Sequence, residues 1–529
     1  MTSKQDLTGT KLDFGVRLES SDISWLLSIE RICSHFCRLC FCSHAHSCPK
    51  LGTYVEPHAN VDNQTNPLVF REYDIRGVAD VDLSVDFARR LGLAYSEFIY
   101  SKIPARNRSR LTVSVGHDCR ISSPAYAKAL ISGLRAGGLD VYHLGNCPTP
   151  AAYFSLFHLD LDGGIMITAS HLSAEYNGFK ICVGHDTIYG EQIQALRKIM
   201  EKNSKSVSSN SGSVSEFAIL PVYLEHLMKD TKPMIPKKVV IDYGNGNGSQ
   251  VAPQLFKKLE ANVIELFGEM DGSFPNHIPD PSSAQNLVEL IAMVKKSKAD
   301  FGIGIDGDAD RIGVVDENGK LLYGDELLVI FSREILKELP GATVVSEVKS
   351  SFRLYDDISK HGGKPIMWMT GHSHIEAKMK ETKAVLGGEM SGHMFFADKN
   401  FGYDDAIYAA LRIYEIAVQH QGVFSSLLAD LPSSFSTPEI RVKCEEREKF
   451  ELVQKTLDRL QKNPNFKEAK FTLIDGVRID FQDGWGLIRA SNTEAVLSLR
   501  FEATSETRLT EIKKIFEDSL EESRLSLKV

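Results

Sequence analysis

From residue 68 onward the chain alternates short apolar runs with glycine-bearing turns and amphipathic stretches. The run 111–115 precedes Gly116, and a helical spacing of Tyr126, Leu130 and Leu134 follows. Residues 141–144 then open the next apolar run, so strand, helix and strand are predicted in turn. The same grammar restarts at Lys237, where Val239, Val240 and Ile241 lead into a turn at 244–248 and a helical stretch at 251–259. It restarts again at Ala342, with Val344 and Val345 leading to Ser350 and another helical stretch. This alternation predicts three α/β units of similar size with parallel strands, although residue identity shows no internal repeat. After about Ser433 the texture is mixed: a helix is predicted over 446–460 and strands over 471–474, 477–481 and 497–501, a smaller α+β domain.

Residues 1–66 lack a sustained period and close on a polar stretch before Pro67, and read as an N-terminal extension. The serine-dominated segment 203–215 reads as a surface loop or linker. The 529 residues are 43% hydrophobic and 25% charged, which suits a soluble protein of two to four domains and excludes fibrous and largely disordered classes. A formal charge of -9 gives no general attraction for nucleic acid or anionic membrane, so an anionic ligand needs cations gathered locally. No run of eighteen apolar residues offers a transmembrane span. Five cysteines (Cys33, Cys37, Cys40, Cys42, Cys48) lie among His35, His44 and His46, but without the paired C-x2-C blocks of a zinc ribbon. The lone thiols Cys119, Cys147, Cys182 and Cys444 point to a reducing, cytoplasmic setting.

Four segments carry chemistry. In 302–311 (GIGIDGDADR), Asp306, Asp308 and Asp310 alternate along a short turn, so their carboxylates can converge from one side, a ligand set suited to Mg²⁺. The remaining ligands of an EF-hand Ca²⁺ loop are absent. At the end of the apolar run 165–167, Thr168-Ala169-Ser170-His171 places a serine in an exposed turn, followed by Lys180 as a nearby cation. The segment 387–393 (GGEMSGH) groups Glu389, Ser391 and His393 between glycines, fit for sugar hydroxyls and for phosphate or proton transfer. Finally, Arg489 with Ser491, Asn492 and Thr493 offers the chemistry of a phosphate cradle. The glycine-rich turn 244–248 lacks the G-x-G-x-x-G spacing of a dinucleotide site and reads as a strand-to-helix turn.

Together these segments, in this order, resemble the α-D-phosphohexomutase superfamily from about Leu68 to the C-terminus, and 70–77 (FREYDIRG) matches that family's first strand. The loop 388–393 and the Arg-x-Ser-Asn-Thr pattern look like the phosphomannomutase/phosphoglucomutase branch; phosphoglucosamine mutases usually carry Gln where Met390 stands. The resemblance implies four domains around a central cleft, three α/β with mixed sheets and a smaller C-terminal α+β domain, over 67–216, 217–320, 321–432 and 433–529. It implies a phosphoserine at Ser170, Mg²⁺ held by Ser170, Asp306, Asp308 and Asp310, and transfer between O1 and O6 of a hexose through a hexose 1,6-bisphosphate. His171, Lys180 and Arg311 are then catalytic, and Tyr73, Arg76, Lys349, His372, Glu389, Ser391, His393, Arg489, Ser491, Asn492 and Thr493 bind substrate. Lys180 is a candidate base if its pKa is depressed, with His171 and His393 as alternatives. The expected partner is a small phosphosugar, with no nucleic acid or membrane, and the expected state a monomer or weak dimer. Two departures stand out: Leu172-Ser173 replaces the family's Asn-Pro after the serine, and Ala495 replaces a proline. Phosphoglucosamine mutase and a sugar-phosphate-binding paralogue with weak turnover are the competing readings.

Overall fold

The computed structural model describes residues 66–526, apart from 104–109, 203–210, 230, 232–234, 464–465, 467 and 493–494. The cysteine-rich extension and Thr493 lie outside the described residues.

The three apolar runs become inner strands of three sheets built to one plan. In the first, Thr112–His117 pairs in parallel with Asp140–Asn146 on one side and Gly163–Ile167 on the other, and the latter turns back into antiparallel Tyr176–Val183. In the second, Lys238–Asp242 lies between Asn262–Leu266 and Phe301–Ile305, which turns back into Ile312–Asp316. In the third, Thr343–Glu347 lies between Lys364–Trp368 and Leu386–Gly388, which returns through Met394–Phe396. The parallel strands are present and each sheet also carries an antiparallel return strand, so all three are mixed, as the resemblance implies. The inner strands are covered on both faces, which is why they read as continuous apolar runs; Phe301–Ile305 is buried throughout.

The return hairpins decide where the chemistry falls. Their turns are 168–175, 306–311 and 389–393, so three of the four candidate loops occupy equivalent places in three equivalent sheets. The strands on either side of the fourth candidate segment, Gly484–Ala490 and Val496–Ala503, likewise pair antiparallel.

At the edges of the first sheet, Ile75–Val78 pairs with Tyr176–Val183, and Val214–Glu216 pairs in parallel with Asp140–Asn146. The serine-rich stretch 203–215, expected to be a surface loop or linker, therefore ends in a strand at Val214. In the antiparallel fourth sheet, Gly484–Ala490 went unpredicted because Gly484 and Gly486 interrupt its apolar pattern. The second glycine is there for close packing: a Cβ on Gly486 would lie 2.6 Å from the Phe516 ring of helix Glu506–Leu525. The strand predicted over 471–474 is Lys470–Thr472, with Leu473 exposed in the turn beyond, and the helix expected from 446 begins at Lys449.

One apolar cluster runs from helix Thr149–His158 of the first sheet through the strands and helices of the second and third. The fourth sheet has its own core and is joined to the third through Val348, Trp485 and Leu487. Trp485, fully buried, lies 3.9 Å under the Arg478 guanidinium, which donates to the carbonyls of Val348 and Ser350 at 2.7 Å each. Among the described residues, no helix is long and apolar enough to cross a membrane, and Cys119, Cys147, Cys182 and Cys444 are free thiols.

Candidate active site

Ser170 sits in the first hairpin turn with φ 51°, a left-handed conformation that a serine adopts only when its surroundings impose it. Its N–H donates to Thr168 Oγ1 at 2.8 Å, its hydroxyl donates to Asp306 Oδ2 at 2.8 Å, and its Oγ lies 3.1 Å from His171 Nδ1. The second turn thus meets the first. Asp306, Asp308 and Asp310 are fully buried, with ligand oxygens within 4.8 Å of one another. Asp306 Oδ1 accepts the N–H groups of Asp310 and Arg311, which curls the turn inward, and Ala309 between them takes φ 66°.

Lys180, on the return strand opposite Met166, donates to Asp308 Oδ2 at 2.7 Å and to Asp310 Oδ2. Thr149, which the sequence reading missed, adds a donor to Asp308 Oδ2 at 2.6 Å. Asp308 Oδ1 and Asp310 Oδ1 are buried without a hydrogen-bond partner, although buried polar oxygens normally have one. Burial and the neighbouring Asp310 and Asp308 push the Asp306 carboxyl well up, whereas for Asp310 the cations Lys180 and Arg311 overcome burial and hold it well down. Partnerless carboxylate oxygens converging beside a serine hydroxyl fit a hard divalent cation such as Mg²⁺.

Burial works against the Lys180 charge, but Asp308, Asp310 and Asp404 outweigh it and raise its pKa. The depressed pKa that a base at Lys180 requires is therefore absent, for a reason spacing does not reveal: the lysine points into the carboxylate cluster. The imidazoles behave oppositely. Burial lowers His171 and His372 well below the usual histidine range, and lowers His393 to about 4, so all three are neutral at pH 7. Arg311 donates from Nε to His393 Nε2 at 2.9 Å, and His393 Nδ1 lies 2.7 Å from Asp404 Oδ2, close but poorly aligned for a hydrogen bond. Asp404 also escaped the sequence reading; it follows the third hairpin and carries no motif.

The remaining candidates are tied to the same loops by polar and ring contacts. The Tyr73 hydroxyl donates to the Thr370 carbonyl at 2.6 Å and accepts from Asn492 Nδ2 at 2.6 Å, tying the first, third and fourth sheets together. Its ring packs edge-on to His372 at 5.6 Å between centroids, and His372 lies 5.6 Å from His393. His372 Nε2 and Ser373 Oγ, at the start of helix His372–Thr382, are buried without a protein partner. Arg489 is held by Asp475 Oδ2 at 2.9 Å, and the same oxygen accepts the Thr370 N–H at 3.0 Å. Glu389 accepts the Gly371 N–H at 2.5 Å; Lys349 lies 3.3 Å from Glu439 and 3.5 Å from Glu347; Arg76 pairs with Asp74 at 2.6 Å. The Ser491 carbonyl accepts from Lys449 at 2.7 Å, and Ser391 is half-buried in the third turn.

Four sheets that bring Ser170, the three aspartates, His393 and Asn492 together have the build of a phosphohexomutase. The chain matches phosphoglucomutase/phosphomannomutase alpha/beta/alpha domain I over residues 67–207, domain II over 221–319, domain III over 323–435 and the C-terminal domain over 439–519. It is 45% identical over 461 residues to a phosphomannomutase/phosphoglucomutase of Pseudomonas aeruginosa, covering 87% of this chain and 97% of that one. It is 40% identical over 454 residues to a phosphoglucomutase of Neisseria gonorrhoeae, covering 86% and 96%. The crystal structure of a phosphoglucomutase/phosphomannomutase family protein from Burkholderia thailandensis superimposes with a TM-score of 0.80 at 38% identity, covering 87% of this chain and 98% of that one. The chain belongs to the phosphoglucomutase/phosphomannomutase family.

Proposed function

We propose that the protein interconverts the 1- and 6-phosphates of mannose, glucose or both, through phosphorylated Ser170 and a hexose 1,6-bisphosphate. The observation that carries this reading is the Ser170 hydroxyl 2.8 Å from Asp306, beside carboxylates whose other oxygens lack partners. Asp306, Asp308, Asp310 and a Ser170 oxygen are the ligands for Mg²⁺, which when bound neutralises charge on the transferring phosphoryl group. Phosphoryl transfer chiefly demands positioning and charge neutralisation, and Lys180 and Arg311 serve the second need.

In the forward direction the bond from phosphorus to Ser170 Oγ breaks, a bond to the sugar O6 forms, and the O6 proton leaves to a base. His171, a neutral imidazole beside the Ser170 hydroxyl, is placed to accept it, whereas His393 Nε2 already accepts from Arg311 and Lys180 is engaged by Asp308 and Asp310. The resulting bisphosphate turns over, and its other phosphate returns to Ser170 from O1. Arg489, Ser491, Asn492 and Thr493, with Tyr73 and Arg76, hold the distal phosphate. Glu389, Ser391, Lys349 and His372 recognise the sugar, and the free His372 Nε2 supports its part in this. The domains are assigned to 67–216, 217–320, 321–432 and 433–529, and the free thiols support a cytoplasmic setting.

The test is conversion of mannose, glucose and glucosamine 1-phosphates to their 6-phosphates with Mg²⁺ and a trace of hexose 1,6-bisphosphate, by wild type and Ser170→Ala. Turnover of mannose or glucose phosphate by wild type, abolished in the variant, supports the proposal. Inert wild type or an unaffected variant overturns it, and exclusive use of glucosamine phosphate transfers the assignment to that sugar.

A further inference from the structure

We infer that Arg120 is the positioning residue of the phosphoserine loop, an inference that rests on Ser170 being the phosphoryl carrier. The loop 168–175 contains no proline or glycine, yet it is closed and its serine is held in a left-handed conformation. Side chains of the loop itself do little of this. The organising group comes from the loop that follows the neighbouring strand Thr112–His117: Arg120 is 1% exposed and lies beneath the turn.

A guanidinium has five N–H donors in a fixed plane, and here all five have acceptors. Nε donates to Asp118 Oδ2 at 3.0 Å; Nη1 donates to the carbonyls of Ser173 at 2.6 Å and Tyr176 at 3.0 Å; Nη2 donates to the carbonyls of Ser170 at 2.8 Å and Leu172 at 2.5 Å. Four carbonyls between Ser170 and Tyr176, three in the turn and one at the start of the return strand, therefore face one cation. Asp118 is fixed in turn, accepting from the Arg120 N–H at 3.1 Å and from Ser123 Oγ at 2.6 Å, and the Phe274 ring covers the guanidinium at 4.9 Å. On its other side the Ser170 carbonyl meets Gly307 of the metal turn, where a Cβ would come within 2.6 Å. The Ser170 peptide is gripped between Arg120 and Gly307, which sets where Oγ points. A lysine retains the charge but not the planar fork, so it cannot hold four carbonyls at once.

The test measures single-turnover transfer from phosphorylated protein to glucose 1-phosphate, by rapid quench, in wild type, Arg120→Lys and the milder Asp118→Asn. The transfer rate constant falls roughly tenfold or more in Arg120→Lys, as expected when a nucleophile is misplaced. It falls less in Asp118→Asn, while KM stays within about threefold in both because neither residue meets the sugar. A purely structural role lowers the amplitude of transfer, the fraction of active molecules, and leaves the rate constant of the remainder unchanged. Rate constants within about twofold of wild type in both variants overturn the inference. A wild type that transfers nothing overturns instead the mutase reading beneath it.

Discussion

Gly246→Ala tests whether the metal turn and the serine are held in register from behind. Gly246 has an ordinary negative φ of −95°, so the requirement for glycine is spatial rather than conformational. An added Cβ would lie 2.6 Å from the Gly307 carbonyl oxygen, 2.8 Å from its Cα and 3.0 Å from its carbonyl carbon. Ordinary contact begins at 3.4 Å, so the two backbones must part by 0.8 Å, the difference between 3.4 and 2.6. Nothing there is a flexible side-chain end. The same Gly307 oxygen accepts the Asn247 N–H at 2.9 Å, and Gly307 abuts the Ser170 carbonyl, so the shift reaches both the carboxylates and the nucleophile. Overpacking of this kind costs about 1–3 kcal/mol. Misplacement approaching 1 Å at reacting groups costs up to roughly a hundredfold in rate. The assay is kcat for glucose 1-phosphate against Mg²⁺ concentration, alongside a thermal melt. A fall in kcat with a raised Mg²⁺ requirement is expected. A kcat and Mg²⁺ dependence equal to wild type refute the reasoning.

Lys180→Met leaves Asp308 and Asp310 buried beside each other without their cation; removing one partner of such a pair costs about 3–5 kcal/mol. Its Tm in EDTA falls below that of wild type and rises on adding Mg²⁺, since an ion bound only by the folded state stabilises it; a Tm unchanged in EDTA contradicts the ion pairing. The Glu439 carboxyl is held down to about 2 by Lys349, from an ordinary value of 4.5. A lowered folded-state pKa stabilises fully above pH 4.5 and is lost as pH falls through 2, a change of at most about 3 kcal/mol. Melts of wild type and Glu439→Gln across that range should therefore converge toward low pH, and curves that stay parallel rule out the pairing.

Legibility followed what each signal depends on. Inner strands and the four loops could be read because burial on both faces leaves long apolar runs, and because the site residues cluster within each loop. The repeat could not be read, since what recurs in the three sheets is strand direction and the position of the hairpin, not residue type. Thr149, Asp404 and Arg120 escaped for a related reason: Thr149 and Arg120 act on loops distant in sequence, and an isolated threonine, aspartate or arginine has no local pattern. Lys180 was found as a site residue but suggested as a base, because the chain's linear order does not show that its ammonium lies between two carboxylates 128 and 130 residues away. Gly484–Ala490 was lost to its glycines, whose purpose appears only when Ile512 and Phe516 of helix Glu506–Leu525 are packed against them.

The central claim is that Ser170 carries the phosphoryl group. It is tested most directly by incubating the protein with hexose 1,6-bisphosphate labelled in phosphorus, mapping the labelled peptide, and chasing with unlabelled glucose 1-phosphate. Label on Ser170 that leaves as bisphosphate during the chase is the predicted result. Turnover with Ser170 unlabelled, or with label fixed on another residue, would contradict it.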